Sequence, residues 1–141
     1  WAPGRAKAGV SDTLISQVDL LASFTSMAGS PLDQEKRRDS LDLGDAMLGL
    51  SKDGRDHVVT EGFGANTLIR EGNWVYIPAY PGPRLFGDKD IESGNSNEPQ
   101  LYDLSLDISQ RTNLAKKDPD RVAAMKKRLE EIRESTSPMP N

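Results

Sequence analysis

Few side chains in this sequence are arranged for chemistry. The single histidine, His57, sits among Asp53, Asp56 and Glu61. A histidine beside carboxylates can bind a metal ion or move a proton. These residues surround a turn at Gly54 without the spacing of a recognised calcium loop. The acids are therefore read as solvated charges, and His57 as a surface or hydrogen-bonded residue whose remaining chemical use is contact with a substrate. Arg84 lies in the stretch Pro81–Pro99, with Asp88, Asp90 and Glu92. A guanidinium can pair two oxygens of an anionic group in a fixed fork. Arg84 is the leading candidate substrate contact and His57 the second. The alternative for Arg84 is a solvated charge on a surface loop. Gly62-Phe63-Gly64 lacks the strand, helix and lysine of a phosphate loop. It reads as a bend, with Phe63 packed inward or facing another domain.

Composition narrows the function classes. The chain has 141 residues, enough for a domain with a core, and is 35% hydrophobic and 28% charged. It is more polar than an average globular domain, as long loops or a surface that meets another domain would make it. The formal net charge of −4 argues against a nucleic-acid partner, because phosphate binding needs a basic face. Lys126, Lys127 and Arg128 form the one basic cluster, but they share a helix with Glu130, Glu131 and Glu134 and read as a solvated face. There is no cysteine, which excludes disulfides, thiolate metal sites and a cysteine nucleophile. No stretch approaches the roughly 18 apolar residues of a membrane span, and no signal peptide is apparent. The chain opens on Trp1 rather than Met, in a phrase like the end of an element, so a piece of something longer is expected.

The elements that must position these residues follow from periodicity and punctuation. A Pro/Gly-rich connector, Trp1–Val10, leads into a helix expected over Ser11–Ala28. Ser11 or Asp12 would cap it, Leu14, Val18, Leu21 and Phe24 would form its apolar stripe, and Gly29 with Pro31 would end it. A charged loop, Leu32–Asp39, precedes a short second helix within Leu41–Leu50. From His57 the period becomes that of strands. Val58–Thr60, Ala65–Ile69, Trp74–Ile77 and Gln100–Leu104 read as strands, with a hairpin turn at Arg70-Glu71-Gly72-Asn73. Pro81–Pro99 reads as a long loop, a length usually functional or disordered. The last helix has Asp118 as cap, Pro119 in its first turn, and Val122, Met125, Leu129 and Ile132 as a narrow apolar stripe. The expected fold is α+β: a small antiparallel sheet of three or four strands with a packed C-terminal helix, preceded by two helices. Residues 1–50 form one region, 51–134 a second, and 135–141 a frayed tail.

Three phrases, in order along nearly the whole chain, resemble the C-terminal region of the sulfatases, above all the bacterial arylsulfatase-like enzymes. The first runs from Trp1, Pro3, Gly4 and Arg5 through Ser11, Asp12, Asp19 and Leu20 to Gly29. The second is the hairpin with Ile69, Arg70, Gly72 and Trp74. The third is Leu101-Tyr102-Asp103-Leu104 with Asp107, then Thr112-Asn113-Leu114-Ala115. Ile108-Ser109-Gln110-Arg111 stands where many relatives have Pro-Gly-Glu, and Val75 where a lysine often follows the hairpin tryptophan.

The resemblance implies a parent that hydrolyses sulfate esters with a formylglycine nucleophile and a calcium ion. The residues for both would lie upstream of Trp1, in a catalytic domain of roughly 300 residues. No catalytic or metal-binding position can be carried onto this chain. Its expected role is to buttress that catalytic domain, its expected partner, and to border the substrate pocket through Pro81–Pro99. Residues 11–28 would flank the sheet of the large domain, so the isolated piece could form a homo-oligomer through its exposed apolar face. No membrane or nucleic-acid partner is expected. The alternatives are a stand-alone, non-catalytic interaction module or a fragment of a related phosphoesterase.

Overall fold

The computed structural model describes residues 2–62, 66–87 and 91–135. The readings of Trp1, Phe63, Gly64, Asp88, Asp90 and the tail beyond Ser135 lie outside them. By internal contact the chain divides into two compact units, Trp1–Val58 and Val59–Asn141. The architecture is the expected α+β arrangement.

The first unit holds a 3-10 turn, Gln17–Asp19, running into α1, Leu20–Met27, and two single-turn helices, α2, Gln34–Arg37, and α3, Gly44–Met47. The helix expected from Ser11 therefore starts late, and the charged loop contains α2. The late start has a local cause. The Ser11 hydroxyl accepts from the Thr13 N–H at 3.3 Å and donates to Thr13 Oγ1 at 2.8 Å, so it serves a turn rather than a helix. The Leu14 carbonyl accepts from the Arg55 N–H at 2.8 Å, which commits that backbone to a tertiary bond. Gly54 permits the approach: a Cβ there would stand 2.6 Å from Thr13 Cγ2 and 2.7 Å from the Leu14 carbonyl oxygen.

The second unit is built on the sheet, with strand order β1-β2-β3-β4. β1 is His57–Glu61, β2 Thr67–Glu71, β3 Trp74–Ile77 and β4 Gln100–Asp103. β2 and β3 form the expected hairpin, but its turn is Gly72-Asn73 alone, because Arg70 and Glu71 continue β2 opposite Val75 and Trp74; Ile69 stands opposite Tyr76, and β3 pairs antiparallel with β4, with Tyr76 opposite Leu101. Alternation puts Ile69, Tyr76 and Leu101 on one face. The long helix α4, Pro119–Ser135, covers that face with Met125 and Leu129, both buried, while Val122 and Ile132 pack at the margins. Val75, Ile77 and Tyr102 form a second cluster on the opposite face, with Leu68 and Leu104 against it. The Asp118 carboxylate accepts the Arg121 N–H at 3.0 Å and its Nε–H at 2.9 Å, and the guanidinium lies 4.0 Å from the centre of the Trp74 ring. Cap, cation–π contact and the start of β3 are thus joined through one arginine.

Candidate functional site

The stretch expected as an open loop is instead an arm paired with itself. Tyr80 and Ser96 exchange backbone hydrogen bonds at 2.8 and 3.1 Å, and Leu85 bridges Glu92. The Ser93 N–H donates to the Arg84 carbonyl at 2.8 Å. Sequence does not advertise this pairing, because proline and glycine interrupt the alternation that marks a strand. Asn95, within the arm, is buried, its Nδ2 3.4 Å from the Pro83 carbonyl. It lies so close to Gly82 that a Cβ there would come within 2.6 Å of Nδ2.

One flank of the arm, the end of β4 and the turn at Asp107–Asn113 enclose a cavity of about 770 Å³, within the range of small-ligand sites. Arg84 and Glu92 stand at its rim and pair at 2.8 Å, both well exposed. Tyr102 and Gln100 supply its wall: the Tyr102 hydroxyl donates to Gln100 Oε1 at 2.8 Å, and Gln100 Nε2 donates to the Gly94 carbonyl at 2.8 Å. Burial, and then the nearby charges of Glu92 and Asp107, raise the Tyr102 pKa, so its hydroxyl stays protonated. Arg111 and Gln110 come from the turn, and Gln110 sits at φ +52°, a left-handed conformation uncommon outside glycine.

The phrases that resemble sulfatases are those that build this region. The Asp107 carboxylate accepts the N–H groups of Arg111 and Thr112, each at 2.7 Å, and so shapes the turn. Asn113 Oδ1 accepts the N–H groups of Leu101 and Ala115 at 3.0 and 2.9 Å, while its Nδ2 donates to the Pro99 carbonyl at 3.1 Å. One side chain thereby clamps β4 to the segment entering α4, which accounts for its place in the phrase.

His57 is half-buried at the start of β1, and its Nδ1 is buried without a hydrogen-bond partner. It does not line the cavity that holds Arg84. Asp53, Asp56 and Glu61 are exposed, and Asp53 engages the Ser51 hydroxyl at 2.7 Å. Among the described residues no group of three or more His, Cys, Asp or Glu side chains could hold a metal ion. No described helix is long and apolar enough to cross a membrane.

Sequence reasoning passed over the polar centre of the first unit. Asp19 is fully buried, and its carboxylate accepts the N–H groups of Ser16 at 2.9 Å and Leu41 at 3.0 Å. Arg55 donates to it through Nε at 2.8 and 3.0 Å and through Nη2 at 2.6 Å, and also reaches the Asp39 carbonyl. Burial pushes the Asp19 pKa up, but the Arg55 hydrogen bonds, the two backbone donors and the guanidinium charge together hold it below its ordinary value. Ser40 Oγ accepts the Ala22 N–H and Ser23 Oγ accepts the Leu43 N–H, each at 2.9 Å. Thus the 3-10 turn and α1 carry Asp19, Ala22 and Ser23 inward, while Val18, Leu21 and Phe24, three of the four residues of the expected apolar stripe, are each more than half exposed and the fourth, Leu14, is half-buried.

No established family profile matches the sequence. An N-acetylgalactosamine-6-O-sulfatase of Bacteroides thetaiotaomicron is 31% identical over 131 residues, which is 93% of this chain and 26% of that protein. A solved structure described under the metabolism of multiple glycosaminoglycans by the same bacterium superposes with a TM-score of 0.82 at 32% identity, over 92% of this chain and 27% of the other. The structure of Ps i-CgsB superposes at 0.63 with 18% identity over 92% of this chain and 26% of the other, a likeness of fold. The chain therefore spans about a quarter of the length of the proteins it matches. The chain belongs to the sulfatases, as a C-terminal fragment.

Proposed function

We propose that the whole protein hydrolyses sulfate esters on an amino sugar of the N-acetylgalactosamine class, and that this region buttresses its catalytic part. The observation that carries the reading is the 31% identity to an N-acetylgalactosamine-6-O-sulfatase across 93% of this chain. The apolar side chains exposed along the 3-10 turn and α1 support the buttress: Val18, Leu21 and Phe24 lie outward over a polar interior, as on a face that another part of the protein covers. The arm and its cavity would border the substrate pocket, with Arg84 as a contact. His57 remains a second proposed contact.

Calcium and formylglycine belong, in this reading, to the remainder of the protein. The residues in hand do not fit either group: the sequence has no cysteine and no serine that opens a Ser-x-Pro/Ala-x-Arg run from which formylglycine could be made, and the described residues form no metal-binding cluster. The purified whole protein should release sulfate from 6-O-sulfated N-acetylgalactosamine, and this chain alone should release none. Failure of the whole protein on that sugar and on a small aryl sulfate would sink the reading. Val18→Asp with Phe24→Asp should lower the melting temperature of the whole protein. Self-association of this chain, abolished by the same pair without effect on the whole protein, would make the occupant a second copy instead.

A further inference from the structure

The geometry points to the cavity between the arm and the Asp107–Asn113 turn as a subsite for an acidic sugar residue, with Arg111 as its principal contact. This rests on the proposed sulfated-sugar substrate and goes beyond it, because it assigns a second anionic group, separate from the ester that is cleaved.

The argument is one of unspent hydrogen-bonding capacity. Most of the cavity wall is already satisfied internally. Tyr102 donates to Gln100, Gln100 donates to the Gly94 carbonyl, and Asn113 uses both ends of its amide on backbone. Both carboxylates near Tyr102 are occupied as well. Glu92 holds Arg84, and Asp107 is turned onto the N–H groups of Arg111 and Thr112. The Arg111 guanidinium, in contrast, is exposed and takes part in none of the ion pairs among the described residues. Beside it, the Gln110 amide and the Ser109 hydroxyl line the same space without an intramolecular side-chain partner, and the Ser96 hydroxyl accepts the Glu98 N–H and has its own proton to give.

The charge left over is a cation, and the amide and hydroxyls beside it offer donors along with acceptors, the buried and unpartnered Asn95 Oδ1 among them, which suits an anionic ligand that also carries hydroxyl groups. Two guanidinium groups against one carboxylate make the lining net positive, on a chain of net charge −4. The wall behind Arg111 is pinned and its backbone N–H is held, so the turn itself need not rearrange, and a planar fork suits a carboxylate or a sulfate equally. The Asp107 carboxylate holds the backbone N–H of Arg111 at 2.7 Å, and the left-handed Gln110 sets the direction in which the turn leaves β4.

The test is calorimetric titration of this chain with three hexasaccharides: an unsulfated one carrying uronate carboxylates, one carrying both carboxylates and sulfates, and a neutral one. Both acidic sugars should bind with a Kd below about 1 mM, and the neutral sugar at least ~10-fold more weakly. Binding of the sulfated sugar alone would assign the anion as sulfate, and binding of both would assign the carboxylate. Arg111→Ala should weaken acidic-sugar binding by about 10- to 100-fold, the usual worth of a hydrogen bond to a charged group. Arg111→Lys should recover part of it, and melting temperatures matched to the parent chain would separate binding from folding. Equal affinity for neutral and acidic sugars, an unaltered Kd in Arg111→Ala, or no saturable binding would each overturn the subsite. None of these results bears on sulfate release by the whole protein, so the two readings fail separately.

Discussion

Replacing Asp19 with asparagine should unfasten the first unit. The carboxylate is 0% exposed and receives two backbone N–H groups as well as the Arg55 fork, whose own side chain is only 15% exposed. Asparagine fits the volume, but it turns an NH2 toward groups that are all donors and leaves a shielded guanidinium without its counter-charge. Breaking one partner of a buried ion pair costs about 3–5 kcal/mol, against about 0–1 kcal/mol for an exposed pair. Amide hydrogen exchange at Leu41 and Ser16 reads the opening of this unit directly. Protection there should fall by roughly 100- to 4,000-fold in Asp19→Asn, while amides of the β2–β3 hairpin keep theirs. The same probes give a pH signature. The Asp19 pKa is lowered in the folded state, so its contribution is present above the unfolded aspartate value near ~3.9 and is lost as pH falls through the folded value. Protection should be flat at neutral pH and decline in acid, and Asp19→Asn should remove that part of the decline. A loss below about 0.5 kcal/mol at neutral pH would mean that the pair behaves as a surface contact, and would refute the account of a polar centre.

Other expectations follow from the same structure. Leu129→Ala should destabilise the second unit by about 2–5 kcal/mol in urea titration, since the side chain is 1% exposed within the sheet–helix core, and Lys126→Ala, far out in solvent, by less than ~0.5 kcal/mol. Equal effects would contradict the packing of α4. Gly54→Ala should cost about 1–3 kcal/mol, because its Cβ would press on the Leu14 carbonyl and backbone cannot swing aside; thermal melts of the variant test this. In the whole protein, Arg84→Ala should raise KM for a large anionic oligosaccharide several-fold and change kcat less, as loss of uniform binding does, and an unaltered KM would reduce Arg84 to surface charge.

Much of the second unit was legible in the sequence because its signals are local. The stripe Val122, Met125, Leu129 and Ile132 has helical period, Asp118-Pro119 starts the helix, and Gly72-Asn73 makes a turn without help from distant residues. The resemblance to sulfatases was legible too, because its phrases hold the clamps Asp107 and Asn113, which act over short stretches of chain. The cavity was half legible. Arg84 is legible as a charge in a long loop, whereas Arg111 shows in the sequence only within a turn phrase and not as a contact, because only folding carries residue 111 to the flank of the arm.

Residue type and spacing determined that this chain has a helix across a small antiparallel sheet and no cysteine to supply a nucleophile, and three of its phrases carry the resemblance to the end of a sulfatase. Tertiary structure decided where α1 begins and which way it faces. Arg55 lies 36 positions from Asp19 and Ser40 lies 18 from Ala22, and no local period reports bonds of that reach. An apolar stripe ordinarily marks the inward face of a helix. Here the buried carboxylate and hydroxyls find all their partners on one side, and their need for hydrogen bonds outweighs the stripe and leaves Val18, Leu21 and Phe24 outward.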